Sequence, residues 1–310
     1  MTVDFQVPEA AAGQRLDLFV GEQLKLSRNQ VKALLEADAI RIDGRRGKKG
    51  DKVAAGQKVS VKQQAEAPRA ATAEPDAPLV VLHVDDALVF VDKQAGMPSH
   101  PLLPGETGTV ANALVARYPE CVAAGLDERE GGLCHRLDTE TSGVLLAART
   151  RAAWEKMREA FSGNGADKRY LALVTGPLAD EGEIELPLAH HGERVRPAAG
   201  GGDDAREAHS LFTVKARSGE YALVEVQILT GVMHQVRAHL AAVGAPIVGD
   251  SLYGGREEPG LGRFFLHARS LQVKHPVTGE TLKVESPLPD KLSEVLRAHG
   301  FPFTPSAVEG

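Results

Sequence analysis

The amino-acid sequence predicts an α+β protein in which a small N-terminal α/β domain precedes a larger body with a largely antiparallel mixed sheet flanked by helices. Two observations lead to this prediction. Apolar runs with β-like spacing outnumber helical segments in the body, and several come in pairs joined by short turns, as in antiparallel hairpins. Residues 64–78 are rich in alanine, proline and glutamate and lack periodic apolar positions. They predict a linker between domains at 1–63 and 79–310.

The N-terminal segment predicts two helices followed by short strands. Leu16 and Val20 recur at helical spacing, and Ser27 is placed to cap a second helix. Alternating apolar residues at 40–42 and 58–61 predict two strands, and Asp43-Gly44 predicts a turn after the first of them. The pattern alone fits any small helix-helix-hairpin domain.

Basic residues are concentrated in the same segment. Residues 1–63 carry a net charge of +4, whereas the rest of the chain carries −10. Lysine and arginine gather in the second predicted helix and the turn after it, where one face could contact phosphates, although charge alone also fits a solvated surface. The candidate RNA-binding residues are Arg28, Lys32, Arg45, Arg46, Lys48 and Lys49.

Four short motifs in this segment resemble the small RNA-binding domain that is named after a ribosomal protein of the small subunit. The motifs are Arg15-Leu16-Asp17, Ser27-Arg28, Ile42-Asp43-Gly44 and Gly56. The resemblance implies that the segment binds RNA.

The body alternates predicted strands and helices irregularly. The predicted strands are Val80–Val84, Leu88–Val91, Gly143–Ala148, Tyr170–Val174, Ile184–Leu188, Leu211–Val214, Ala222–Leu229, Leu271–Lys274 and Leu282–Val284. The predicted helices are Thr109–Tyr118, one that carries Trp154, Met157 and Phe161, one that Thr230 caps and Gly244 ends, and Asp290–His299.

Two polar strings in the body could carry chemistry. The first runs from Gly131 to Gly143 and leads directly into a buried strand, and loops placed on a rigid sheet often hold catalytic groups. Asp138 in this loop could equally serve as a local hydrogen-bond acceptor. The second string follows Thr230, and Arg237 lies at the border of its apolar stripe. A half-buried Arg237 needs a carboxylate partner such as Asp138, whereas helical geometry alone also permits an arginine that reaches solvent.

Other kinds of chemistry are disfavoured by spacing. His234 and His239 are five positions apart on a helix, so their side chains point about 140° apart and do not suit one metal ion. Cys134 is predicted to be a packed thiol, and residues 200–202 lack the Lys-Ser/Thr that follows a phosphate-binding loop. The sequence therefore predicts catalysis by side chains, without a metal or a cofactor.

The chain is predicted to be cytoplasmic and not bound to a membrane. No apolar run reaches the roughly 18 residues that a membrane helix needs, and the N-terminus lacks the apolar region of a secretory signal. Two cysteines, Cys121 and Cys134, cannot form a disulfide framework.

Five ordered motifs in the body resemble the RluA-type pseudouridine synthases over roughly residues 79–300. The motifs are Lys93 to Gly96 with His100-Pro101, the loop from His135-Arg136-Leu137-Asp138 to Gly143, Lys168-Arg169-Tyr170, the helix string His234-Gln235-Val236-Arg237-Ala238-His239-Leu240 with Gly249-Asp250 and Tyr253-Gly254, and Leu266-His267-Ala268. The residues at 246–250 and 287–290 are most similar to the RluD subgroup.

The resemblance implies roles for individual residues. Asp138 would be the catalytic carboxylate and Arg237 its ion-pair partner. Tyr170 would stack on the uracil and accept a proton at carbon 5. Arg136 would fill the gap left by an extruded nucleotide, and Val236 would pack on the other side of the base. The further candidate substrate-binding residues are His135, His234 and Gln235.

The function expected from this resemblance is cofactor-free isomerisation of uridine to pseudouridine, in large-subunit ribosomal RNA, by a monomer. A tRNA substrate is one alternative, and a catalytically idle RNA-binding factor for ribosome assembly is another. A retaining glycosidase also uses a carboxylate at an anomeric carbon, but it needs a second carboxylate about 5 Å away, for which Glu140 is the near neighbour in sequence.

Overall fold

The computed structural model describes residues 2–24, 26, 28–62, 69–163, 165–198 and 204–302. The chain divides into two compact units, Met1–Ala67 and Pro68–Gly310. Ser27, the expected cap of the second helix, lies outside the described residues.

The smaller unit is a four-stranded antiparallel sheet with two helices. Its strands and helices are β1 (Thr2–Gln6), α1 (Leu16–Leu24), α2 (Arg28–Glu36), β2 (Ile40–Ile42), β3 (Arg45–Arg46) and β4 (Lys58–Lys62), and the strand order is β1-β4-β2-β3. Asp43 and Gly44 both have positive φ between β2 and β3, which is the geometry of a tight hairpin turn of type I′. Leu16, Phe19 and Ile40 are fully buried in the core of this unit.

The larger unit contains the remaining strands and helices. They are β5 (Val80–Val84), β6 (Leu88–Lys93), α3 (Val110–Arg117), β7 (Ser142–Ala148), α4 (Arg151–Ser162), β8 (Ala166–Thr175), β9 (Glu181–Glu185), β10 (Leu188–His191), β11 (Arg194–Pro197), β12 (His209–Ser218), β13 (Tyr221–Ile228), α5 (Gln235–Ala242), β14 (Leu266–Lys274), β15 (Thr281–Glu285) and α6 (Asp290–Ala298). Short 3-10 turns lie at Glu9–Ala11 in the smaller unit and at Pro119–Ala123, Glu128–Glu130 and Ser251–Tyr253 in the larger one.

One mixed sheet dominates the larger unit, as the sequence predicts. Its strand order is β5-β6-β7-β14-β8-β13-β12-β9, with β15 paired to β14. Among the described strands, β7 and β14 form the parallel pair and the other pairs are antiparallel. The strands β10 and β11 form a separate hairpin.

Both faces of this sheet are covered near its centre. Val89 and Val91 of β6 pack into the apolar cluster that includes α3, α5 and α6. The alternate residues Leu88 and Phe90 pack with α4, through Trp154. Because both faces are buried, β6 and β7 are apolar almost continuously instead of alternating.

Two features differ from the sequence-based expectation. Residues 69–78 belong to the larger unit, because Ala71 is buried in its core and donates its N–H to the Glu128 carbonyl. The expected strand at 184–188 is interrupted, because Pro187 has no N–H for the ladder, so β9 ends before it and β10 begins after it. Within the described ranges, no helix is long and apolar enough to cross a membrane.

Candidate active site

The loop that carries Asp138 is fixed on both sides, by the last residue of β6 and by a serine in the segment after it. The Lys93 ammonium is buried and donates to three backbone carbonyls, one of which belongs to Thr139, at 2.8 Å. Burial lowers the pKa of Lys93 to about 7. The Ser99 hydroxyl donates to the Leu137 carbonyl at 2.8 Å and accepts from the Leu137 N–H at 3.0 Å. The backbone next to Asp138 is therefore held in one place.

A glycine joins this loop to the sheet. Gly143 stands opposite Ala268 where β7 and β14 run parallel, and its φ is +120°. A Cβ atom at this position would lie 2.2 Å from the Ala268 carbonyl oxygen. A glycine is therefore required for the chain to pass from the Asp138 loop into the centre of the sheet.

Helix α5 brings Arg237 to Asp138. The Nη1 atom of Arg237 lies 3.3 Å from Oδ2 of Asp138. The other side of the guanidinium donates to both carboxylate oxygens of Asp250, at 2.7 and 2.9 Å. Burial opposes the charge of Arg237, but the hydrogen bonds to Asp250 and the charge of Asp138 outweigh it and raise the pKa of Arg237. Arg237 thus bridges two carboxylates.

The two carboxylates differ in exposure. The side chain of Asp250 is 1% exposed and that of Asp138 is 21% exposed, whereas Arg237 is 7% exposed. Two aromatic rings lie beside the guanidinium, with centroids 4.2 Å (Phe264) and 5.0 Å (Tyr253) from its central carbon. These cation–π contacts and the paired hydrogen bonds to Asp250 fix the plane of the guanidinium.

His234 starts α5 in a left-handed conformation, with φ 53° and ψ 19°. Its Nδ1 atom lies 3.1 Å from the Tyr253 hydroxyl, and its Nε2 atom lies 3.8 Å from Oδ2 of Asp138. Burial, the largest influence, lowers the pKa of His234, and the nearby charge of Asp138 opposes this. His234 is therefore neutral at neutral pH and lies next to the carboxylate.

Gln235 has no free hydrogen-bonding group for a substrate. Its Oε1 accepts from the Thr230 hydroxyl and the Val232 N–H, and its Nε2 donates to the His209 carbonyl and the Ser210 hydroxyl. Thr230 is not the N-cap that the sequence predicts, because the helix begins after the left-handed His234. Gln235 therefore positions the start of α5.

Tyr170 lies on β8 with its ring almost fully buried. Burial and the charge of Asp138 raise the pKa of the Tyr170 hydroxyl well above its usual range. Within the described residues this hydroxyl has no hydrogen-bond partner. It is thus a neutral phenol at neutral pH.

These residues surround a cavity of about 530 Å³. All eight site residues that the sequence predicts line it, namely His135, Arg136, Asp138, Tyr170, His234, Gln235, Val236 and Arg237. Asp138 supplies the only carboxylate among the described lining residues, and Glu140 does not reach the cavity. The lining cations are Arg136, Arg158, Lys168, Arg206 and Arg237. A single carboxylate therefore lies in a cationic cavity.

A family model described as RNA pseudouridylate synthase matches residues 87–242, which is half of the chain and includes Asp138, Tyr170 and Arg237. The chain belongs to the RNA pseudouridylate synthase family. It is an RNA pseudouridine synthase, an isomerase.

Relatives of this synthase match it along nearly its full length. The ribosomal large subunit pseudouridine synthase D of Xanthomonas campestris is 34% identical over 307 residues, covering 94% of this chain and 91% of that protein. The protein of the same name from Pseudomonas aeruginosa is 31% identical and covers 92% of each chain. Among solved structures, human RNA Pseudouridylate Synthase Domain Containing 4 has a TM-score of 0.56 and 25% identity, covering 70% of this chain and 92% of that one.

The sequence alone does not reveal what some synthase residues near the cavity do. Asp250 and Lys168 stand in motifs of the family, but the sequence assigns neither of them a role in the site. His135 accepts a hydrogen bond from the Leu146 N–H of β7 and stacks on Phe161 at 4.5 Å. Burial lowers the pKa of His135 to about 3, so its ring is neutral and links the loop to β7. The alternation of polar and apolar residues cannot reveal such partners, because they come from distant parts of the chain.

The basic side chains of the synthase's smaller unit surround two depressions of about 310 and 440 Å³ that share Lys32, Leu35 and Lys49. The candidate RNA-binding residues that line them are Arg28, Lys32, Arg46, Lys48 and Lys49. Arg45 lines neither depression and instead pairs with Asp51 at 2.8 Å. The structure therefore brings five of the six predicted cations to one surface.

Proposed function

We propose that this enzyme isomerises uridines in large-subunit ribosomal RNA, with Asp138 as the catalytic carboxylate and without a cofactor. The observation that carries the proposal is the cavity in which Arg237 holds Asp138 beside the buried ring of Tyr170. The names of the Xanthomonas and Pseudomonas relatives support the choice of RNA, because these two proteins match 94% and 92% of this chain.

The proposed reaction changes the uracil atom to which C1′ of the ribose is bonded. The bond between C1′ and N1 of uracil breaks, the base rotates, and C1′ bonds to C5. The proton on C5 is lost and N1 gains one, so no net oxidation or reduction takes place. An ionised carboxylate can act on the ribose or the base as a nucleophile, or on a sugar proton as a base. The contact with Arg237 holds Asp138 in the lining of the cavity.

Tyr170 is proposed to contact the uracil with its ring. As a neutral phenol, its hydroxyl can accept the C5 proton only if it gives up its own proton in the same step. Asp138 lines the same cavity and is the carboxylate available to receive that proton. Val236, buried in α5 and also lining the cavity, supplies a second apolar surface for the base.

Extrusion of the target nucleotide is part of the proposal, since a stacked base hides its glycosidic bond. Arg136 is exposed and lines the cavity, two residues before Asp138. Neither a hydrogen bond nor an ion pair joins its guanidinium to another described residue. We assign it to the gap that the extruded nucleotide leaves in the RNA.

The smaller unit is proposed to bind the same RNA through its basic surface. Five cations around two adjacent depressions suit the phosphates of a folded RNA. The proposal includes action as a monomer in the cytoplasm, where ribosomal RNA is found.

A comparison of pseudouridine maps tests the substrate. Ribosomal and transfer RNA are mapped from cells with the gene, cells without it, and deleted cells that carry the wild-type gene on a plasmid. We expect one or more sites in large-subunit ribosomal RNA to vanish on deletion and return on complementation. Sites that vanish only from tRNA would replace this substrate with the tRNA alternative.

The glycosidase alternative is disfavoured by the geometry. A retaining glycosidase needs two carboxyl groups about 5 Å apart. Within the described part of the chain, Asp138 faces the cavity without a second carboxylate. Asp250 is engaged by Arg237 and almost fully buried.

A further inference from the structure

The hairpin formed by β10 and β11 contributes one wall of the cavity, through His190 and the nearby Arg206. Neither residue belongs to the motifs that identify the family here. Backbone hydrogen bonds of 2.9 Å in both directions join Arg206 to Leu188 of β10. The backbone position of Arg206 is therefore set by the hairpin.

The hairpin is in turn fixed to α5, the helix that carries Arg237. Leu188 and Val195 form a small apolar cluster with Ala238 of α5, the residue that follows Arg237. The Val195 N–H also donates to the Tyr253 hydroxyl at 2.9 Å, and that hydroxyl contacts His234. Arg206 consequently stands at a defined position relative to Arg237 and Asp138.

Arg206, like Arg136, differs from the other described cations of the cavity in having no partner. Arg237 is held by two carboxylates, Lys168 donates to the Thr230 carbonyl, and Arg158 donates to the Cys134 carbonyl. Among the described residues, none forms a hydrogen bond or ion pair with the Arg206 guanidinium, which is exposed. Its five N–H groups are free to bind an anion.

We propose that Arg206 binds a backbone phosphate of the RNA directly beside the target uridine. The uracil and ribose are neutral, so the charge that a cationic cavity attracts must come from the phosphates on either side of the extruded nucleotide. A guanidinium binds two phosphate oxygens at once with good geometry. The contact would fix the direction in which the RNA strand enters the cavity. The inference rests on the proposed extrusion of a uridine but holds for ribosomal and transfer RNA alike.

The test compares Arg206→Ala with Arg196→Ala in the full-length enzyme. Arg196 is an exposed arginine on the same hairpin that does not line the cavity, so it controls for the loss of one positive charge. The probe is a short RNA stem-loop that contains a uridine modified by the wild-type enzyme, whichever RNA the pseudouridine maps identify. Each phosphate around that uridine is replaced in turn by an uncharged methylphosphonate.

We expect Arg206→Ala to weaken binding of the unmodified stem-loop roughly ten- to a hundredfold, as for a lost charge-assisted hydrogen bond, and Arg196→Ala to change it less than threefold. One methylphosphonate should weaken binding by the wild type to a similar extent and leave binding by Arg206→Ala unchanged. The control Arg196→Ala should also keep a single-turnover rate at saturating RNA within about threefold of the wild type, because Arg196 does not line the cavity.

The inference is overturned if Arg206→Ala and Arg196→Ala bind equally well, or if every methylphosphonate weakens Arg206→Ala as much as it weakens the wild type. A modified uridine in tRNA would correct the proposed substrate and leave this inference standing. The two failures are therefore distinguishable.

Discussion

The guanidinium of Arg237 contacts two carboxylates that have different roles. Asp250 receives two short hydrogen bonds and is buried, so it fixes the guanidinium. Asp138 receives one longer contact of 3.3 Å and stays partly exposed in the cavity. A carboxylate held this loosely is still free to approach a substrate atom.

Asp138→Asn should abolish turnover and leave the fold and RNA binding intact, because the amide has nearly the same shape but lacks the ionised oxygen. Release of tritium from RNA labelled at carbon 5 of uridine measures turnover. Circular dichroism and a filter-binding assay check folding and affinity. Tritium release at more than a few per cent of the wild-type rate would contradict the role of Asp138.

Arg237→Met should destabilise the enzyme by roughly 3–5 kcal/mol, because it leaves Asp250 buried without its partner. Urea unfolding followed by fluorescence measures the change. The control is Arg256→Met, since Arg256 and its partner Glu220 are both exposed, and we expect little change there. Equal stability of the two variants would show that Asp250 does not depend on Arg237.

Tyr170→Phe should slow product formation about a hundredfold or more while preserving stability and RNA affinity, because the ring remains and the acid–base group is lost. Tyr170→Leu should in addition weaken RNA binding by roughly 1–3 kcal/mol, through the loss of a base–aromatic stack. Single-turnover rates and equilibrium binding distinguish these effects. Turnover of Tyr170→Phe at the wild-type rate would leave only the stacking role.

At the scale of elements, the sequence predicts those helices and turns whose conformation is set by residues close together in the chain. It does not predict elements that depend on contacts with distant residues. The Asp43-Gly44 turn and the helix after Thr109, with its capping box, are set by neighbouring residues and were predicted. The start of α5 was wrong by several residues, because His234 takes up a left-handed conformation that depends on contacts with Tyr253. The hairpin β10–β11 was not foreseen, since its stability comes from apolar contacts with α5.

The link between the Asp138 loop and β7 should weaken in acid. His135 accepts the Leu146 N–H and is neutral when folded, with a pKa of about 3, whereas an unfolded histidine titrates near pH 6.5. Between these values the unfolded chain binds the extra proton, so this contribution to stability falls as the pH falls below 6.5. In His135→Gln this contribution is absent.

Urea unfolding of wild type and His135→Gln at pH 7 and pH 5 tests this expectation. The stability advantage of the wild type should shrink or reverse at pH 5. The other buried histidines, such as His267, are present in both proteins, so their effect cancels. A constant difference between the two pH values would speak against a neutral, hydrogen-bonded His135.

At the scale of the whole molecule, charge is distributed between the two units, with an excess of positive charge in the smaller one. Replacing Lys32, Lys48 and Lys49 with glutamine should weaken RNA binding and reduce its salt dependence. Each lost phosphate contact lowers the slope of log affinity against log salt concentration by about 0.7–0.9. Binding measured at several salt concentrations gives the slope.

The matched control changes three exposed lysines that line neither depression, Lys52, Lys58 and Lys62, to glutamine. We expect this variant to keep the wild-type slope within about 0.5, which is less than one phosphate contact. Equal slopes for the two triple variants would mean that only total charge matters and that the depressions are not a binding surface.

The parallel pairing of β7 with β14 also governs when the active site forms during synthesis. Ser142 and His267, which touch at this junction, are 125 residues apart in sequence. Contacts between such distant segments form slowly, because a long loop must close first. When α5 has just emerged from the ribosome, the nascent chain already contains Asp138 and Arg237. It still lacks β14, the strand that joins the two halves of the sheet. The enzyme should therefore gain activity only near the end of its translation, after β14 has emerged and the sheet has closed.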